Sequence, residues 1–249
     1  MKTFKNIAYG ENTENLLDIY LPDGKSTGTI VYFHGGGLVN GKKDEKNYVE
    51  IAKSFTDNGY GFASAEYRMY PEAKFPDYLE DAAKAVKFVL DGIEALGGSK
   101  KLFVSGQSAG AWISLMLCLN GAYLRNENIP SGVIEGWIID SAQTTAHFNV
   151  IARELGADSR KQMINEFAPL YFVDENTSFS KMLLICYEND MPCRPEQNEL
   201  FLKAILSFKA DADVKLVKLP GEHCHGSTVK DEDGEYAFVK ESLKWLGLR

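Results

Sequence analysis

Residues 101–120, KLFVSGQSAGAWISLMLCLN, constrain this chain more than any other stretch. Leu102, Phe103 and Val104 form a short apolar run, the pattern of a fully buried strand. From Ala109 the residues are helix-like and apolar almost all round, which predicts a buried helix. Between them, Gly106-Gln107-Ser108-Ala109-Gly110 is a G-x-S-x-G pentad, and in a strand–turn–helix setting that pentad is a nucleophile elbow. The glycines have a mechanical reason: the serine backbone is strained at so sharp a turn, and side chains on its flanks would clash. The Ser108 hydroxyl is then held above a sheet, at a helix N-terminus whose dipole favours nearby negative charge. A small-residue turn that happens to contain serine is the bland alternative, and the strand before and helix after weigh against it.

The rest of the chain alternates strand and helix signals around that elbow. Strands are expected at residues 15–21, 29–33, 60–67, 133–139, 181–187 and 214–219. The first is bounded by Pro22-Asp23-Gly24, a turn signal, and reads as antiparallel. Tyr48, Ile51, Ala52 and Phe55 mark one amphipathic helix, and Leu79, Ala82, Ala83, Val86, Leu90 and Ile93 a second. Pro195 opens a third, and Tyr236, Val239, Leu243 and Leu246 make the last. Such alternation means a mostly parallel sheet with helices on both faces, an α/β fold. One domain over 1–249 is expected, with residues 143–167, polar and too long for a plain loop, as a small lid.

Charge and cysteine usage narrow the classes. Lys and Arg number 27 against 35 Asp and Glu, a net charge of −8 with no basic cluster, which argues against a nucleic-acid partner. The N-terminus lacks an apolar core of signal-peptide length, and no run approaches the ~18 apolar residues of a membrane span. A soluble, cytoplasmic protein with no membrane partner is expected, its cysteines free; Cys193 and Cys224, near one another in the expected site, are the one pair that could cross-link. Homo-oligomerisation is left open.

A serine hydroxyl needs a base to take its proton, and near neutral pH that base is histidine. Of the four histidines, His34 belongs to a glycine loop that it would shape, and His147 falls in the lid segment and reads as a surface residue. His223 and His225 follow the last strand, where such a sheet places its functional groups. His225 is preferred, because Gly226 after it would leave room at a crowded site; His223 is the alternative. An H-x-H pair can also bind metal, but no third ligand with suitable spacing accompanies it. For the acid that orients the histidine, Asp190 directly after the 181–187 strand fits the Ser–acid–His order, with Asp140 as second choice. His34-Gly35-Gly36-Gly37 closes another strand, and its side-chain-free amides suit a developing oxyanion; the expected donors are Gly36, Gly37 and Ala109.

With these residues the chain resembles the α/β-hydrolase superfamily, and within it the hormone-sensitive-lipase-like and acetyl-xylan-esterase-like carboxylesterases. The resemblance is carried by His34 to Gly37, Tyr67-Arg68-Met69-Tyr70-Pro71-Glu72, Phe75-Pro76, Leu79-Glu80-Asp81-Ala82, the elbow, Asp190 and His225-Gly226. Asp190-Met191-Pro192-Cys193-Arg194-Pro195-Glu196-Gln197 looks like the acid loop of small sugar-ester esterases. The resemblance implies an eight-stranded sheet with its second strand antiparallel and a minimal cap. It also implies a serine carboxylesterase working without metal or organic cofactor on a small-molecule ester. Leu38 stands where an aromatic often follows the glycine loop, implying a less aromatic acyl side. The short 143–167 segment suggests an open site, suited to short acyl groups such as acetyl on sugars or other bulky alcohols. Two other readings share the scaffold: an amide hydrolase (arylformamidase or peptidase-like) on the same triad, and a non-catalytic ligand-binding protein.

Overall fold

The computed structural model describes residues 1–248. Its strands are β1 (Lys2–Ala8), β2 (Leu16–Leu21), β3 (Gly28–Phe33), β4 (Tyr60–Ala65), β5 (Leu102–Gln107), β6 (Ile134–Asp140), β7 (Met182–Asn189) and β8 (Val214–Glu222). They form one eight-stranded sheet in the order β1-β2-β4-β3-β5-β6-β7-β8. β2 is antiparallel to both β1 and β4, and every pairing from β4 through β3 to β8 is parallel. The chain thus has the mixed, mostly parallel sheet of an α/β-hydrolase, with the second strand reversed. Seven of the strands were readable as apolar or alternating runs. β1 was not: it lies at the sheet edge with its residues exposed or half-buried, so nothing imposes an apolar pattern on it.

Helices cover both faces. α1 (Lys46–Asp57) and α8 (Ala237–Trp245) pack one side, burying Ile51, Phe55, Phe238 and Leu243 against Tyr32, Phe62 and Ile185 of the sheet. α2 (Asp77–Gly92), α3 (Ala109–Leu119) and α6 (Arg194–Phe208) pack the other, with Leu79, Val86, Trp112, Phe201 and Ile205 in a single core with Val31, Val104 and Leu184. α3 is buried from Ala109 through Leu117, which is why its sequence shows no polar stripe. The shorter helices are α4 (Ala122–Asn126), α5 (Phe148–Glu154) and α7 (His225–Thr228).

The crossing of β5 and α3 explains the pentad. A Cβ at Gly110 would stand 2.0 Å from the carbonyl oxygen of Phe33, so the helix can lie against β3 only without a side chain there. Ser108 sits between the glycines at φ 53°, ψ −111°, and its amide donates to the Asp140 carbonyl at 2.8 Å. The turn is thereby hung from the end of β6, at the carboxyl edge where the parallel strands stop.

Candidate active site

Three loops bring polar side chains to the carboxyl edge beside Ser108. The Ser108 hydroxyl donates to His223 Nε2 at 2.8 Å, and the other ring nitrogen, Nδ1, donates to Asp190 Oδ1 at 2.5 Å. An ionised carboxylate only accepts, so it fixes the proton on Nδ1 and leaves Nε2 free to take the serine proton. Asp190 follows β7 directly; its side chain is fully buried, and Oδ1 also accepts from the Met191 amide at 2.6 Å. His223 is the first residue past β8 and a quarter exposed at its side chain; it and the half-buried Ser108 face the solvent side, while the Asp190 side chain does not.

The histidine that meets Ser108 and Asp190 is His223, and the expectation that His225 would do so is corrected. Cys224 takes a left-handed conformation, φ 61°, and His225 begins α7, which carries its ring away from Ser108. That ring lies over Gly221, where a Cβ would meet His225 Cγ at 2.5 Å. The room left by Gly226 serves another group: a Cβ there would lie 2.6 Å from Tyr187 Oη. Asp140, the second candidate for the acid, does not bond His223 but accepts from Ser227 Oγ and Tyr187 Oη. Burial pushes its carboxyl up to about 6, with those two hydrogen bonds opposing the shift.

The glycine loop is pinned through its backbone alone. The Gly35 amide donates to Tyr48 Oη at 3.3 Å, the Gly36 carbonyl accepts from the Val39 and Asn40 amides at 3.1 Å, and the Gly37 carbonyl accepts from Asn149 Nδ2 at 2.6 Å. The Gly36 and Gly37 amides have no hydrogen-bond partner among the described residues. Gly36 has φ 112°, and a Cβ there would fall 1.9 Å from the Asn40 carbonyl oxygen, so only glycine fits. His34 shapes the loop from below: it is buried, bonds Glu66 Oε2 through Nε2 at 3.0 Å, and stacks on Tyr67 at 4.5 Å. Tyr67 in turn donates to the His34 carbonyl, and Arg68 grips both oxygens of Asp81, so these motif residues brace the loop rather than face a substrate.

Residues 143–167 lie against the same loop. Gln143, Thr144, Thr145 and His147 are buried, and α5 presents Asn149 to Gly37 at one end and Glu154 to Tyr70 Oη and the Phe75 amide at the other. A Cβ on Gly37 would meet the Phe148 ring at 3.3 Å, so an aromatic does stand beside the glycine loop, supplied from α5 instead of position 38. His147, expected at the surface, is a buried cap: its Nδ1 accepts from the Asn149 amide at 3.2 Å, and its ring stacks on Phe148. Burial, reinforced by Arg194, holds its imidazole neutral and down to about 3. Below the ordinary histidine value of about 6.5 the unfolded chain gains a proton that the folded chain refuses, so stability falls as pH drops from about 6.5 toward 3. At pH 5 this amounts to about 2 kcal/mol. Urea unfolding at pH 7 and pH 5 should show that part of the loss in the wild type and not in His147→Asn.

A cleft of about 830 Å³ opens beside Ser108 and His223, walled by Tyr48, Glu50, Thr228, Lys230 and Tyr236. Its walls are largely polar or amphipathic. Tyr236 Oη and Lys230 Nζ both bond Glu50 Oε2 there, at 2.8 and 3.0 Å. Cys193 is exposed and Cys224 buried, and both thiols are free. Among the described residues no group of three or more His, Cys, Asp or Glu side chains could hold a metal ion, and no helix is long and apolar enough to cross a membrane.

The sequence profile of the BD-FAE family matches residues 17–205. The chain belongs to the BD-FAE family. This BD-FAE chain is 29% identical to a probable isoprenylcysteine alpha-carbonyl methylesterase of Oryza sativa subsp. japonica, over 59% of its own length and 33% of that relative's. It thus spans about a third of the plant proteins it matches. It is 27% identical to a kynurenine formamidase of Danio rerio over 99% of its own length and 83% of the relative's. Among solved structures, an esterase of the planctomycete Thermogutta terrifontis superposes with a TM-score of 0.76 at 21% identity, covering 97% of this chain and 94% of that one. These likenesses agree with the α/β-hydrolase fold, and about half of the chain, 49%, is 26% identical to part of the hormone-sensitive lipase of Mus musculus, 16% of its length.

Proposed function

We propose that this BD-FAE chain is a serine carboxylesterase that removes short acyl groups, acetyl groups on sugars among them, through an acyl-enzyme. The observation that carries the reading is the continuous Ser108–His223–Asp190 hydrogen-bond line beside an open cleft. Ser108 Oγ attacks the ester carbonyl as His223 Nε2 takes its proton. The carbonyl oxygen becomes an alkoxide, held by the amides of Gly36, Gly37 and Ala109. Each such donor is worth ~10²–10³ in kcat. The C–O bond to the alcohol then breaks, and His223 returns the proton to the leaving oxygen. Water, activated by the same nitrogen, attacks the acyl-enzyme and releases the acid and free Ser108. Asp190 keeps the imidazole in the right tautomer and stabilises it while charged. No step calls for a metal or organic cofactor.

The Phe148 ring beside Gly37 limits room next to the oxyanion donors, which favours a short acyl group there. The cleft walls of Glu50, Lys230 and Tyr236 favour a hydrated alcohol over a lipid chain. One observation favours a second reading: the formamidases align over nearly this whole chain and 83% of their own length, far more than the methylesterases do. The same residues would cleave an N-formyl amide if His223 protonates the leaving nitrogen. Comparing p-nitrophenyl acetate, butyrate and octanoate with N-formylaniline separates these readings. The expected result is turnover highest on acetate, about tenfold or more below it on octanoate, and weaker still on the formamide. Faster formamide turnover would replace the ester reading with the amide one, and no turnover of any would leave a binding protein.

A further inference from the structure

Behind Ser108 runs a line of buried polar side chains that the reaction above does not use. It starts at the glycine loop, where Tyr48 Oη accepts the Gly35 amide at 3.3 Å and donates its own proton to Gln107 Oε1 at 2.5 Å. Gln107 Nε2 donates to Ser227 Oγ at 2.7 Å, and Ser227 donates to Asp140 Oδ2 at 2.5 Å, with the Cys224 carbonyl farther off at 3.1 Å. Tyr187 Oη closes the line on Asp140 Oδ1 at 2.9 Å. A hydroxyl has one proton to give, so the order of donors is forced: every link from Gly35 points toward the Asp140 carboxylate. Asp140 and Ser227 are wholly buried, and Gln107 and Tyr48 are each 4% exposed, so water cannot easily replace a broken link.

The two ends of this line matter to the chemistry. At the Asp140 end the anchor is rigid: the Asp140 carbonyl holds the Ser108 amide, and Ser141 Oγ holds the Cys224 amide, just past His223. At the other end lie three successive glycines, with no side chains of their own to fix them, offering the donors that must sit about 2.7–3.1 Å from the oxyanion. We infer that Gln107 is a positioning residue, which through Tyr48 sets the Gly35–Gly37 loop in register with the nucleophile, using Ser227 and Asp140 as its fixed point. The inference rests on the hydrolase reading. Gln107 is suited to the part because one planar amide supplies both an acceptor for Tyr48 and a donor for Ser227. A glutamate would keep the first and lose the second, and a methionine would lose both.

Gln107→Met and Ser227→Ala, alone and combined, test this, with Tyr48→Phe as a variant that removes a single hydroxyl should either of the others fold poorly. Each single change is expected to lower kcat on p-nitrophenyl acetate about tenfold while KM stays within about twofold, because the donors act on the transition state and hardly on the bound ester. Binding of a trifluoromethyl ketone, which forms a tetrahedral adduct on Ser108, should weaken by the same factor. The double variant should be no slower than the worse single one, since a line cut twice is still one cut line. Ser227→Thr, which keeps the hydroxyl, should recover most of the rate. A kcat within about twofold of wild type in folded variants, a rise confined to KM, or losses that multiply to about 10²-fold would each overturn the inference. Wild-type protein that neither turns over the ester nor forms the adduct would remove the hydrolase reading itself, a distinct result.

Discussion

Ser108→Ala is expected to cut turnover of p-nitrophenyl acetate by about 10⁴–10⁶-fold, leaving at most the residual rate that oxyanion donors and binding supply by themselves. The size follows from what is lost. Without Oγ there is no acyl-enzyme, and hydrolysis must proceed by direct attack of an untethered water on the ester. Stability should change little. The hydroxyl makes one hydrogen bond, to a partly exposed histidine, worth about 1 kcal/mol. Alanine also keeps the Cβ already accommodated at φ 53°. Covalent labelling gives a readout independent of substrate choice. A fluorophosphonate forms a P–O bond to Ser108 Oγ with loss of fluoride, so intact-mass analysis should show one adduct on the wild type and none on the variant. Labelling that survives the substitution, or a rate within tenfold of wild type, would move the nucleophile elsewhere and leave the elbow without its assigned part.

Much of this site was legible because strand ends and tight turns leave marks in sequence. The elbow needs small residues around a serine, the glycine loop needs residues that accept positive φ, and both follow apolar strands; the structure places them as neighbours along β3 and β5. Asp190 could be singled out because it directly follows an apolar run. Of the loop's support only His34 was legible. Tyr48 looks like one more apolar position of an amphipathic helix, and its partner Gln107 is 59 residues away. Gln107 reaches Ser227 across 120 residues, and Asn149 reaches Gly37 across 112. Nothing in a local pattern of spacing encodes such meetings; they follow from which helices cover which strand ends. His147 misled for a related reason: a histidine among polar residues reads as exposed, whereas this segment is folded against α3 and α6 and takes the ring into the interior. β1 escaped because an exposed edge strand carries no obligation to alternate.

The contrast between His223 and His225 is the sharpest consequence of the geometry, because two histidines separated by one residue should differ in effect by several orders of magnitude. His223→Ala is expected to lower kcat by about 10⁴-fold or more, since both the proton acceptor for Ser108 and the acid for the leaving group disappear together. His225→Ala should stay within about threefold, its ring resting on the Gly221 backbone in the first turn of α7 with no side-chain hydrogen bond among the described residues. Sequence reasoning favours His225, through the Gly226 that follows it, and the structure brings His223 to Ser108 instead. What separates them is the left-handed Cys224, which reverses the chain after His223 has already met Ser108 and Asp190. Added imidazole supplies a further check. The gap left by the missing His223 ring opens onto the cleft, so free imidazole should raise the rate of His223→Ala in a concentration-dependent way and leave His225→Ala unchanged. Equal losses in the two variants, or a larger one at position 225, would mean that the imidazole reaching Ser108 in solution is not the one that reaches it here.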